Sequence, residues 1–201
     1  KNKKNYAQHR QQSYKGSMLH FMRSVYTNTL IENGFEVRRM VRIYNLEKLR
    51  VKKAYAPIKV VSTARGSATP IIEMKEPDLP PDTLSYYQRV MRQPDYNEVY
   101  GEKLLTADSV VIKQEGLYKV MYFPDYLFVT YTGELEEEGY VRSLSEARSP
   151  VSQRSFLFSP NVDLIRIEKN GHYFDPQNLF ALGYWGWSEK LANALPLDYE
   201  N

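Results

Sequence analysis

The sequence predicts an α+β domain in which two to four helices pack on a mainly antiparallel sheet. Apolar residues recur at helical spacing after Ser17. Residues 109–132 hold three short runs of β-branched and aromatic residues, separated by turn residues, which is typical of strands. Asn170-Gly171 is the strongest hairpin signal. Hydrophobic residues make up 42% of the 201 residues and aromatic residues 13%, which is ample for a packed core.

The first helix is predicted to begin after Ser17, whose side chain can accept a hydrogen bond from the free N–H groups of the first turn. Gly34 is predicted to end it, because glycine adopts a positive φ without a steric penalty. His20 has no histidine or carboxylate three or four residues away, which favours a packed core histidine over a metal ligand. The residues at helical spacing are Met18, Met22, Val25, Tyr26, Thr29 and Leu30.

From Phe35 the apolar period changes to two, which predicts a strand. Arg39 breaks the alternation and indicates a bulge or a sheet edge. Asn45 is predicted to cap a short helix over Leu46–Lys53, and Ile58–Ser62 is predicted to be a short strand. The beginning of the domain is therefore helix, turn, strand, helix and strand.

Residues 64–81 contain four prolines and are predicted to form a long, stiff loop. An ordinary surface excursion is favoured for this loop. A lid or a partner-binding segment is the alternative, because long loops in compact domains are often functional. Asp82 is predicted to cap the next helix, which ends before Pro94.

The three runs within residues 109–132 predict an antiparallel meander. The acidic run over residues 134–139 is predicted to be a solvated hairpin tip. A calcium site is the alternative for this run, but it would need acids at alternating positions around a central glycine. Two more strands, over residues 155–158 and 163–169, are predicted before the hairpin at Asn170-Gly171.

The charge balance is mildly basic, with a net charge of +3 and a pI of about 8.8. This is too weak a bias for a nucleic-acid binder, so no nucleic-acid partner is predicted. Residues 1–15 contain basic residues and no acidic ones. We favour the interpretation that they are a solvated flank leading to a missing upstream domain. The alternative is a basic arm that binds phosphates or anionic lipid. Residues 16–201 are predicted to form a single domain. The absence of an apolar run of about 18 residues predicts no transmembrane span.

The sequence lacks the residues that several kinds of chemistry require. Without cysteine, disulfides, thiolate zinc sites and cysteine nucleophiles are excluded. The nucleophile elbow, the His-Glu-x-x-His motif, the P-loop and the dinucleotide-binding glycine motif are absent from it. His9, His20 and His172 have no metal-ligand spacing. We therefore predict no catalytic residue, metal or cofactor, although acids distant in sequence can still meet in a fold.

Aromatic residues concentrate in the segment from Gly183 to Trp187. Exposed aromatic rings can anchor a sugar ring or a partner's side chain at a small cost in entropy. Sealing of the core beside the last helix is favoured over such a binding platform. That helix is predicted over Ser188–Leu195, with Ser188 as its cap and Pro196 as its end. The candidate binding residues are Tyr184, Trp185 and Trp187.

Two stretches, Ser13–Met40 and Asp175–Glu200, carry a recognisable pattern. Tyr14 begins Tyr-x-Gly-Ser-x-x-His-Phe-x-Arg-Ser-x-Tyr, and Glu32 begins Glu-x-Gly-Phe-x-Val. Gly-Tyr-x-x-Trp and Leu-Pro-x-Asp-Tyr close the second stretch. These stretches resemble the C-terminal region of the carboxypeptidase-like regulatory-domain-containing proteins of Bacteroidota. Asn33 departs from that pattern, since the family often has a second Glu there.

The resemblance implies an exported protein that is periplasmic or associated with the outer membrane. It also implies that a small β-sandwich precedes Lys1. The family name describes a fold module rather than peptidase activity, and it supplies no catalytic residues to carry over to this chain.

The sequence and the resemblance together predict a non-catalytic, extracytoplasmic binding or assembly module of the bacterial cell envelope. Its expected partner is an envelope protein or a polysaccharide. The alternative is a hydrolase that acts on polysaccharide through dispersed carboxylates. Two carboxyl groups that face each other across a cleft at about 5–10 Å would favour the hydrolase, whereas isolated surface acids would favour the binding module.

Overall fold

The computed structural model describes residues 2–62, 69–75, 77–144, 147–161, 163–189 and 195–199, with side chains except at 2–7, 56–62 and 69–75. The helices are α1 Asn2–Tyr14, α2 Met18–Thr27, α3 Leu46–Lys52, α4 Pro81–Met91, α5 Ala107–Val110, α6 Glu138–Ser143 and α7 Tyr184–Ser188. The strands are β1 Phe35–Tyr44, β2 Ala56–Ser62, β3 Thr69–Lys75, β4 Tyr96–Tyr100, β5 Val111–Glu115, β6 Tyr118–Met121, β7 Tyr126–Leu135, β8 Ser152–Phe158, β9 Ile165–Ile167, β10 Tyr173–Phe174 and β11 Phe180–Gly183.

The strands form mainly antiparallel sheets. One sheet has five strands in the order β11-β8-β7-β1-β4, and another has four in the order β10-β9-β6-β5. The strands β2 and β3 form a two-stranded ribbon. The fold is therefore α+β with mainly antiparallel pairing, which confirms the predicted fold class.

The chain forms two compact units. Unit 1 comprises residues 1–41 and 100–201, and unit 2 comprises residues 42–99. Unit 2 is thus an insertion into the sequence of unit 1, and its boundaries fall within β1 and β4. The sequence predicts a single domain over residues 16–201, and its local patterns do not indicate this division. Within the described part of the chain, no helix combines the length and the hydrophobicity that a bilayer crossing requires.

The core of unit 1 lies around α2. Phe21 and Met22 of this helix are fully buried, as is Leu157 of β8. Ser17 caps α2 as predicted, because its hydroxyl accepts a hydrogen bond from the His20 N–H at 3.1 Å. The predicted end at Gly34 is wrong, since the helix ends at Thr27. Asn28 supplies the left-handed cap with φ 59°, a conformation that asparagine tolerates better than most residues.

Unit 2 has a small core of its own. Val51, Tyr55 and Val90 are buried together between α3 and α4. Asn45 caps α3 as predicted, with its side chain accepting from the Lys48 N–H at 3.0 Å. The predicted cap of α4 is wrong, because Pro80 is the cap and Asp82 lies in the first turn. Proline suits the start of a helix because its missing N–H would have no partner there.

The predicted loop over residues 64–81 is wrong for its central part. Residues 69–75 form β3, which pairs with β2 in an antiparallel register from Ala56↔Lys75 to Ser62↔Thr69. Proline lacks a donor for a central strand, but each strand of a two-stranded ribbon has one unpaired edge that tolerates it. Residues 77–80 have no regular secondary structure, as predicted, and Pro81 begins α4. Residues 64–68 and 76 of the predicted loop lie outside the described residues.

The predicted meander is divided between two sheets. The strands β5 and β6 pair as expected, from Val111↔Met121 to Glu115↔Tyr118. The third run, β7, instead pairs with β1 and β8 in the five-stranded sheet. The hairpin at Asn170-Gly171 is confirmed, because it joins β9 to β10 and Gly171 has a φ of +89°.

Candidate functional site

Unit 1 contains a pocket of about 370 Å³ with a mainly polar lining. Its walls come from segments far apart in sequence: the end of α1, the turn from Lys15 to Ser17, the end of β7, the start of β8, and α7. The volume lies in the range typical of sites for small molecules or single side chains. We therefore take this pocket as the candidate functional site.

The turn at Gly16 forms one wall of the pocket and is fixed by the core. Gly16 has a φ of +71°, which strongly favours glycine. Its N–H donates to His20 Nδ1 at 3.2 Å, and its carbonyl oxygen accepts from Trp185 Nε1 at 2.6 Å. Both polar groups of the Gly16 backbone are thus satisfied by buried side chains, which holds the wall in one position.

His20 is a structural residue, as the sequence predicts. It is only 9% exposed and packs against the rings of Tyr14 and Phe35. Burial, assisted by the positive charges of Arg23 and Lys15, lowers the pKa of His20 to about 4. The imidazole is therefore neutral near pH 7, with Nδ1 free to accept the hydrogen bond from Gly16.

Gln153 lines the pocket and carries a buried acceptor. The residue is only 5% exposed, and its Nε2 donates to the Leu135 carbonyl at 3.4 Å. Its Oε1 is buried beside Gly16 and has no hydrogen-bond partner among the residues that the structure describes. Leaving such an oxygen unsatisfied costs about 1–3 kcal/mol, a cost that a donor group from a ligand would remove.

Three glutamates, Glu134, Glu137 and Glu189, line the pocket. Glu189 is an exposed residue, and its carboxylate accepts from the Met18 N–H at 2.8 Å. Partial burial of the carboxyl group raises the pKa of Glu189, and the Met18 hydrogen bond opposes this shift. Burial also raises the pKa of Glu134, with Lys15 opposing and Glu137 adding to the rise.

Tyr184 joins the pocket to the core. Its hydroxyl donates to Glu137 Oε1 at 3.3 Å, and its ring packs edge-on against Tyr140. Burial and the charge of Glu137 raise the pKa of Tyr184, so the phenol remains a donor throughout the neutral range. Glu137 is therefore held in place from within the protein, and its second oxygen is available for other donors.

The aromatic candidates from the sequence do not share one environment. Trp185 belongs to the core, is 2% exposed and packs on Phe21 with ring centroids 5.2 Å apart. Trp187 is half-buried against Tyr140 and Tyr184. Of these candidates, Tyr184 lines the pocket. Binding through Tyr184 and Trp187 stays a prediction, and Trp185 offers no exposed surface for a stacking platform.

The segment around the candidates is itself helical. Residues Tyr184–Ser188 form α7, so Ser188 ends a helix where the sequence predicts it to begin one. Trp185 N–H donates to Ser155 Oγ at 3.0 Å, which ties the first turn of α7 to β8. The rest of the helix predicted over Ser188–Leu195 includes residues 190–194, which lie outside the described residues.

The acidic run is not the solvated hairpin tip that the sequence predicts. Glu136 is 4% exposed and pairs with Arg148 at 2.5 Å, and it also accepts from the Val151 N–H at 3.2 Å. This pair of a buried Glu136 with a partly exposed Arg148 anchors the chain between β7 and α6, and Glu134 and Glu137 on either side of Glu136 in sequence both line the pocket. The sequence signal for this arrangement is weak, because Arg148 lies in a polar stretch twelve residues further on.

Among the residues that the structure describes, the pocket glutamates included, no three histidine, aspartate or glutamate side chains group closely enough to hold a metal ion. Unit 2 has a smaller pocket of about 210 Å³, where Lys48 and Lys52 share the Asp95 carboxylate. Both lysine charges are engaged there within the protein.

Comparisons with known proteins found no match for this chain among family models, curated proteins or solved structures. The resemblance to the C-terminal region of the regulatory-domain-containing proteins therefore stays a prediction.

Proposed function

We propose that this chain is a non-catalytic binding or assembly module of the bacterial cell envelope, and that the pocket of unit 1 is its ligand site. The observation that carries the proposal is the buried Oε1 of the pocket-lining residue Gln153, which lacks a hydrogen-bond partner within the described part of the chain. A stable fold retains such an atom at a cost unless a ligand satisfies it.

The geometry of the pocket supports binding. The Gly16 turn is fixed by the hydrogen bonds from Trp185 and to His20, so the wall is formed before a ligand arrives. A preformed site avoids the ordering entropy that weakens association. The expected location outside the cytoplasm rests on the family resemblance, and the expected partner is an envelope protein or a polysaccharide.

Capture from an envelope extract would test this proposal. The immobilised chain is exposed to the extract in three forms: wild type, a Gln153→Leu, Glu134→Gln pocket variant, and a Glu36→Gln control with an exposed substitution on β1. We expect one partner to be retained by wild type and control and lost by the pocket variant, and the purified partner to rebind in the same order. Equal retention by all three forms would refute the pocket as the ligand site.

A hydrolase acting on polysaccharide is the second candidate, and one specific observation favours it. Glu134 and Glu189 line the same pocket, and burial raises the pKa of both carboxyl groups. A carboxyl group with a raised pKa is suited to act as a general acid beside a second, ionised carboxylate.

Reducing-sugar release from envelope polysaccharides distinguishes the candidates. The binding module predicts no release above that of a buffer blank. Release by wild type that disappears in Glu134→Gln and in Glu189→Gln, but persists in Glu36→Gln, would establish the hydrolase and refute the non-catalytic proposal.

A further inference from the structure

The residues that line the pocket are rich in hydrogen-bond acceptors. Glu134, Glu137 and Glu189 line it, and so does Gln153, whose buried Oε1 has no partner among the described residues. We infer that its ligand is an organic cation with N–H donors, namely a protonated amine borne by a protein side chain or by an amino sugar. This inference rests on the proposed binding function and specifies the chemical class of the ligand.

The charge of the lining favours a cation. Among the described residues of the lining, three glutamates outnumber the two basic residues Lys15 and His9, while the whole chain carries a net charge of +3. The lining of the pocket is therefore acidic, whereas the net charge of the protein is positive. A concave site lined by one sign of charge concentrates ligands of the opposite sign.

The unpartnered oxygen of Gln153 favours a ligand with hydrogen-bond donors. Gln153 Oε1 needs a donor, and an anion such as a carboxylate or phosphate has none to offer. An ammonium group has three N–H donors, so it can satisfy an amide oxygen and a carboxylate at the same time. Hydrogen bonds of this charge-assisted kind are stronger than those between neutral groups.

The spread of the carboxylates favours an organic cation over a bare metal ion. A metal ion of the calcium type needs several oxygen atoms converging at about 2.3–2.6 Å. Such a group of side chains is not found among the residues that the structure describes. An amine on a longer scaffold has donors that can be shared between separate walls of a pocket of about 370 Å³.

Two matched pairs of probes test the inference by isothermal titration calorimetry on the whole chain. Glucosamine is compared with N-acetylglucosamine, and Nα-acetyl-lysine amide is compared with its Nε-acetylated form. Each pair differs in the presence of the charged amine, and sodium chloride equalises the ionic strength. We expect at least one amine to bind about tenfold or more tightly than its acetylated partner, and the pair that does so identifies a sugar or a side chain as the source.

Variants connect this binding to the pocket. We expect Gln153→Leu and Glu134→Gln each to weaken binding of the preferred amine by about tenfold, and the control Glu36→Gln to leave it within about twofold. Thermal unfolding and near-ultraviolet circular dichroism verify that each variant is folded. If Glu134→Gln fails to fold, Glu189→Gln replaces it as the variant that removes a pocket carboxylate.

Several results would overturn the inference. Failure of both amines to bind refutes the ligand class, and so does equal or tighter binding of the acetylated probes. Calcium binding that depends on Glu134 would replace the organic cation by a metal ion. In each case, pocket-dependent capture of an envelope partner would still uphold the binding function, whereas loss of that capture as well would remove both proposals.

Discussion

Trp185 Nε1 donates to the carbonyl oxygen of Gly16 at 2.6 Å, a buried hydrogen bond between residues that are 169 positions apart. It connects the turn before α2 to the helix after β11. Because Gly16 lines the pocket and Trp185 lies in the core, this bond links the stability of unit 1 to the shape of the candidate site.

Trp185→Phe is expected to lower the free energy of unfolding by about 3 kcal/mol, since it leaves the Gly16 carbonyl unpaired and creates a cavity beside Phe21. Urea denaturation measures the change. The matched variant Trp187→Phe changes a half-buried ring and is expected to lose about 1 kcal/mol or less. Equal losses in the two variants would contradict the assignment of Trp185 to the core.

Gly16→Ala is expected to destabilise the fold by about 2–4 kcal/mol, because φ is +71° and the new methyl group would collide with Gln153 Oε1 and lie 2.6 Å from Tyr131 Cδ1. Gly116→Ala is the control, since φ is +60° there and no atom lies within 4 Å. Its loss should be about 1 kcal/mol. If both substitutions shift the thermal midpoint alike, the close packing at Gly16 is refuted.

Gly171 and Gly16 show which structural roles of glycine can be predicted from the sequence and which cannot. The hairpin glycine at Gly171 is predicted from its asparagine neighbour, because that signal is local. The role of Gly16 depends on Gln153 and Tyr131, which approach it from strands far along the chain. The helix caps at Ser17 and Asn45 can be predicted from the sequence for the same reason, because their signals are also local. The pocket cannot be predicted in this way, because its lining comes from segments far apart in the chain.

Lowering the pH is expected to destabilise the protein through His20. The pKa of His20 is about 4 in the folded state because of burial, and 6.5 is the ordinary value. The unfolded chain therefore binds a proton more readily, and stability is fully present above pH 6.5 and falls as the pH decreases toward 4. The loss should be on the order of 2 kcal/mol.

His20→Asn isolates this contribution, because the asparagine side-chain oxygen can accept from the Gly16 N–H in place of Nδ1 and does not titrate. Urea denaturation at pH 7, 6, 5 and 4 should give a flatter pH dependence for the variant than for wild type. Parallel curves would show that His20 does not control the acid sensitivity.

Arg148→Met is expected to cost about 2–3 kcal/mol, because it leaves the Glu136 carboxylate buried without its charged partner. Arg142→Met is the matched control. Arg142 is 77% exposed and lies 3.7 Å from Glu138, so its removal should change the unfolding free energy by about 0.5 kcal/mol or less. If Arg148→Met lowers the unfolding free energy as little as Arg142→Met does, the anchoring role of the Arg148–Glu136 pair is contradicted.

Gln153→Leu is expected to leave the free energy of unfolding unchanged or to raise it by about 1 kcal/mol, since it removes an unsatisfied buried oxygen and a long hydrogen bond to Leu135. A residue kept for stability would behave in the opposite way. Chemical denaturation of this variant without ligand therefore separates a structural role of Gln153 from a binding role.

The sequence identified the fold class but not the site, and the acidic run explains why. A cluster of acids is usually solvated, and the sequence pattern cannot reveal that Arg148 neutralises Glu136 in a buried position. The proline-rich segment misled for a related reason: proline excludes a central strand, but the ribbon of β2 and β3 has edges that accept it. In both cases a long-range partner overrode a local preference.

The assembly of the pocket from both ends of unit 1 has a consequence for biosynthesis. A nascent chain can form α2 early, but the Gly16 carbonyl does not receive the hydrogen bond from Trp185 until the segment around α7 has left the ribosome. Gln153 and Glu189 also come late in the chain. Fragments released before Trp185 is made would have no binding site, so ligand binding would distinguish full-length chains from prematurely terminated ones.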